Sequence, residues 1–116
     1  MNRIIGRKFF GMLGAAVVTL PLLSVSAAAN TNYLSAKSLM DMPDAQQRYM
    51  FVAGVVAGLS TARFVTDGND TGSACIDNWF HDSGEAKGQI EAAFARYGDR
   101  SPSAIIYALV SRACGK

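Results

Sequence analysis

The sequence predicts an all-α fold, a small bundle of four or five helices stapled by one disulfide. Three observations carry this. Apolar residues recur at helical spacing in several segments, and no stretch alternates with period two for long enough to make a strand. Proline, glycine and N-cap residues punctuate those segments where helices begin and end. The only thiols are Cys75 and Cys114, in a chain whose start reads as an export signal.

That start is residues 1–29. Arg3, Arg7 and Lys8 precede an uncharged apolar stretch, Phe9 to Leu23, and small residues lead to an A-x-A cleavage site at Ala27-Ala28-Ala29. A membrane-crossing helix needs about 20 apolar residues, whereas this run holds 15 and contains Pro21. A cleaved signal peptide is therefore the expectation, with a retained N-terminal anchor as the alternative. Arg7-Lys8 lacks the second arginine of a twin-arginine signal, which favours the general secretory route and a periplasmic destination. Residues 30–116 then form a single helical domain. The whole chain has 11 Lys plus Arg and 9 Asp plus Glu; the leader takes three cations and no acid, leaving 8 against 9, a net charge of about −1. The remaining cations are scattered, a pattern that excludes nucleic acid as a partner. After cleavage, no segment is expected to insert stably in a membrane.

An oxidising compartment favours a Cys75–Cys114 bridge over a reactive thiol or a metal-binding pair. A bridge closing a loop of about 40 residues contributes roughly 4 kcal/mol in the chain-entropy model. A domain of this size buries only about 60–65% of its unfolded surface, so such a staple matters.

The elements follow in order. Ser35 caps a short turn carrying Leu39, Met40 and Met42, and Pro43 closes it. Asp44 with Gln47 makes a capping-box start for the longest helix, expected to run to about Phe64. Its stripe is Tyr49, Val52, Val56, Leu59 and Arg63, flanked by Phe51, Val55 and Ala62. That width predicts a central helix covered on more than one side. Gly54 and Gly58 share a face four residues apart and are assigned to helix packing, either within the chain or between subunits of a homodimer. The apolar run Met50 to Leu59 is too short to cross a bilayer. Val65 to Ser73 reads as a loop. A short helix then holds Cys75, Ile76, Trp79 and Phe80. Asp82, with Glu85 three residues on, is expected to cap the next helix, whose stripe is Ala86, Ile90, Ala93, Phe94 and Tyr97. Gly98 stands where a left-handed C-terminal cap belongs. Ser101-Pro102 opens the last helix, with Ile105, Ile106, Leu109, Val110 and Ala113 facing inward and Cys114 closing it.

The chemistry-bearing residues are few. Cys75, Asp77 and His81 suggest a nucleophile with a base, since Asp77 and His81 stand four apart, but a disulfide removes the nucleophile. Asp67, Asn69 and Asp70 offer oxygens suited to calcium, but the spacing does not match an EF-hand loop. Trp79 is either a partner-binding anchor or part of the core. Phosphate-binding glycine motifs, zinc-ligand spacings and a serine-nucleophile elbow are absent from the sequence. No enzyme activity, cofactor or metal is expected.

A resemblance refines this reading. It rests on the helix Arg48-Tyr49-x-x-Val52-Ala53-Gly54-Val55-Val56-Ala57-Gly58, on Ala74-Cys75-Ile76 after a polar loop, on the corner Ala95-Arg96-Tyr97-Gly98, and on a last helix from Pro102 through Ala108-Leu109-Val110 to Ala113-Cys114. This layout resembles the Tai-type immunity proteins of type VI secretion systems and, more loosely, the small acid-stress chaperones of the HdeA family. Asp77 and Ala113 stand where prolines are common in the immunity family. The resemblance implies a periplasmic protein, often dimeric, that inhibits a peptidoglycan amidase by plugging its cleft. The contact residues expected by position are Asp67, Asn69 and Asp70 in the polar loop, with Trp79 and His81. Two alternatives stand beside it: an acid-activated chaperone, and an accessory envelope protein without a toxin partner.

Overall fold

The computed structural model describes residues 33–116, which hold five helices and no strand. The signal peptide expected over residues 1–29 lies outside the described residues. The helices are α1 (Ala36–Met40), α2 (Ala45–Asp67), α3 (Thr71–His81), α4 (Ala86–Arg96) and α5 (Pro102–Cys114). Cys75 in α3 and Cys114 at the end of α5 form the one disulfide. The all-α bundle stapled by a single bridge is thus the observed architecture.

Local chemistry sets most boundaries. Ser35 Oγ accepts the Ser38 N–H at 3.1 Å, and Asp44 Oδ1 accepts the N–H groups of Gln46 and Gln47 at 2.9 and 3.3 Å, satisfying donors that a helix start leaves free. Pro102 sits in the first turn of α5, where its missing N–H costs nothing. The core gathers Leu39 from α1, Val56 from α2, Ile76 and Trp79 from α3, Ile90 and Phe94 from α4, and Ile105, Ile106 and Val110 from α5. One buried polar contact joins α2 to α3: Ser60 Oγ donates to the Ser73 carbonyl at 3.3 Å.

Four expectations need correction. First, the α2–α3 connection is three residues, Gly68 to Asp70, not Val65 to Ser73. Gly68 adopts a left-handed φ of 68° and its N–H bonds the Phe64 carbonyl, a glycine stop that lets α2 run through Asp67. Second, Asp82 does not cap α4; it ends α3, giving its N–H to the Asn78 carbonyl. Ser83 Oγ instead accepts the Glu85 N–H at 3.2 Å, and Glu85 makes no reciprocal side-chain bond. Third, Gly98 is not left-handed; positive φ occurs at Gly68, Gly84 and Gly115. Gly98 lets α1 approach: a Cβ there would meet Lys37 Cβ at 3.3 Å, and the Gly98 carbonyl accepts the Lys37 N–H at 2.8 Å. Fourth, the described residues cover α2 on one side only. It packs chiefly on α3, with α5 alongside, and only Val56 and Ser60 of its 23 residues are buried.

Candidate functional site

The expected contact residues fall in three different settings. Asp67 ends α2 and pairs with Arg63, Oδ2 to Nε at 2.5 Å, while the Arg63 guanidinium also donates to the Gly115 carbonyl at 2.9 Å. Asn69 spans the corner: its amide donates to the Asp67 carbonyl and its Oδ1 accepts the Thr71 N–H. The Asp70 carbonyl accepts from Ser73 Oγ, so this corner is built by its own polar side chains. Trp79 is only 7% exposed and donates its indole N–H to Gln89 Oε1 at 3.2 Å, which places it in the core. His81 is exposed at the last position of α3, in edge contact with Phe80 at 4.9 Å between ring centres. The 11 residues of α3 hold the Asp67–Asp70 corner and His81 about 15 Å apart. They are not one surface.

Gly54 and Gly58 face open space. Among the described residues no atom lies within 4 Å of a Cβ built at either one, so no described helix approaches them. The packing glycine at the α2–α3 crossing is Gly72, where a Cβ would meet Arg63 Cγ at 2.8 Å and Asp67 Oδ2 at 2.9 Å.

What surrounds Gly54 and Gly58 is the most unusual surface of the domain. Residues 49–62 carry no charge, and the outward side of α2 presents Met50, Gly54, Ala57, Gly58 and Thr61, with Phe64 and Val65 beyond. Met50 is 59% exposed and Val65 73%. The solvent face of a surface helix is ordinarily polar and charged. An uncharged solvent face with large exposed apolar side chains departs from that pattern. By length and composition, α2 also qualifies as a helix able to cross a membrane, longer than the Met50–Leu59 run suggested. Its opposite side, however, holds Val52, Val56 and Leu59 against the core. The run of uncharged residues was visible in the sequence. Which of its sides lacked a neighbour was not.

A second feature adjoins this face. A cleft of about 460 Å³ opens where the first turns of α2 meet the end of α3 and the first half of α4. Ile90 and Val52 form its floor, and Tyr49 and Phe80 stand beside it with ring centres 6.2 Å apart. Ala45, Arg48, His81, Lys87 and Glu91 complete the lining. Among the described residues no group of three His, Cys, Asp or Glu side chains is placed to hold a metal ion. Compared with known proteins, the chain matches no family model, no curated protein and no solved structure.

Proposed function

We propose that this chain is an exported, non-enzymatic binding protein of the periplasm whose partner is another protein of the cell envelope. One observation supports this above others: the outward face of α2, from Met50 to Val65, is uncharged, apolar and exposed, with no neighbour near Gly54 and Gly58 among the described residues. Two glycines in the middle of that helix lower its intrinsic stability by about 0.8–1.0 kcal/mol each relative to alanine. No described residue uses the space they leave, so the flat strip suits close approach by a second body. The resemblance to Tai-type immunity proteins gives the proposal a specific form, in which the domain inhibits a peptidoglycan amidase by occupying its cleft.

The test is affinity capture from envelope extract, with the oxidised domain of residues 30–116 as bait and Ala57→Arg as the matched control. Ala57 is exposed at the centre of the face, so the arginine charges the surface without entering the core. Recovery of a peptidoglycan hydrolase by the parent bait and its loss from Ala57→Arg is the expected result. A hydrolase retained equally by both baits would remove α2 from the interface. A broad set of unfolded proteins, captured only in acid, would favour the HdeA-like chaperone reading. No specific capture at all would leave the accessory role.

A further inference from the structure

We propose that the cleft between α2, α3 and α4 is a binding site for a small organic anion, a carboxylate carried on an aryl or short alkyl body. This is a different surface from the outward face of α2 and stands independently of the protein partner. Its volume of about 460 Å³ falls within the about 300–1,000 Å³ range of ligand pockets. The floor is apolar and fixed, since Ile90 belongs to the buried core and Val52 packs against it. Tyr49 and Phe80 add aromatic surface at the side. These groups suit an apolar or aromatic body.

The polar lining selects the charge. Arg48 and Lys87 face the cleft with a single acid, Glu91. The ion pairs among the described residues are Lys37–Asp41 and Arg63–Asp67, so neither Arg48 nor Lys87 has a carboxylate within 4.0 Å. The Arg48 guanidinium contacts the Met42 carbonyl through one N–H group, and its other N–H groups are left for a ligand. A domain of net charge about −1 thus has a locally positive cleft over an apolar floor. A carboxylate between Arg48 and Lys87 makes charge-assisted hydrogen bonds while its body covers Val52 and Ile90.

The test is an NMR titration of the oxidised domain at low salt with 4-phenylbutyrate, its neutral amide and 4-phenylbutylamine. At the efficiency of ordinary ligands, a body of about 12 non-hydrogen atoms gives a Kd of about 1 mM. The expected result is saturable shifts confined to Val52, Phe80, His81, Lys87 and Ile90, with the amide and the amine at least about five-fold weaker, the effect of losing one charged hydrogen bond. Lys87→Glu, at an exposed position, is expected to weaken phenylbutyrate at least about ten-fold while the spectrum stays dispersed. Lys87→Met, which keeps the apolar stem, is expected to fall between the two. Equal binding of the three compounds, shifts spread over the whole surface, or no saturation by about 10 mM would overturn the proposal. A peptide ending in a free phenylalanine carboxylate that binds more than about ten-fold tighter would also overturn it, by assigning the cleft to peptide chain ends.

Discussion

Replacing both Gly54 and Gly58 with alanine is expected to stabilise the isolated domain. Both lie deep in α2, each nine residues from the nearer end (54 − 45 and 67 − 58), where fraying does not dilute helix propensity. Neither has a positive φ, and an added methyl meets no atom within 4 Å. The propensity term therefore acts without a steric penalty, at about 0.8–1.0 kcal/mol per site. Summed over the two sites the term is about 1.6–2.0 kcal/mol; they stand one helical turn apart, and the two single variants measure any coupling between them. The unfolding entropy of a chain of this length converts that to a rise in Tm of about 10 °C. Urea and thermal unfolding of the oxidised domain, followed by far-UV circular dichroism, would show a higher midpoint at unchanged m-value. A stability equal to or below that of the parent would refute the reasoning, because it would mean that something in the domain requires those two glycines. Against a protein partner the same variant is expected to act in the opposite direction, weakening the complex.

Gly72→Ala is expected to have the reverse sign, destabilising by about 1–2 kcal/mol, because its methyl would displace the Arg63 side chain and the Arg63–Asp67 pair; the same urea titration measures it. Replacing Cys75 and Cys114 together with serine removes a link across 39 positions and is expected to cost about 2–5 kcal/mol, read by comparison with the oxidised parent. Asp44→Ala leaves the Gln46 and Gln47 N–H groups without their acceptor and is expected to cost about 1 kcal/mol, with helix content falling first at the start of α2 by amide exchange.

How much of this was legible in the sequence differed by element. Ser35 and Asp44 cap neighbours within three residues and Pro102 presets the first turn of α5, so local pattern located those helix starts. Gly68 and Gly98 each follow an amphipathic segment and look alike in one dimension. Only the approach of Lys37, more than sixty residues away in sequence, makes Gly98 a packing residue and leaves the left-handed stop to Gly68. Asp82 carries a capping signature in the sequence, but α3 runs on to His81 and takes Asp82 as its C-cap, leaving Glu85 at the start of α4. The stripe on α2 named the residues able to face a core, and Val56 does. Periodicity carries no information on how many neighbours a helix has, so the bare side around Gly54 and Gly58 had no local signal. The cleft is a meeting of three helix segments, and its lining residues lie too far apart in sequence to suggest one another.

The bare side of α2 also separates two demands that most small domains must meet with the same residues. Met50, Ala57 and Thr61 are exposed and stand outside the buried core, so exchanging them changes the surface and leaves folding nearly untouched. On the proposed reading, affinity for a partner seated there is therefore altered in single steps, each variant folding as well as the last.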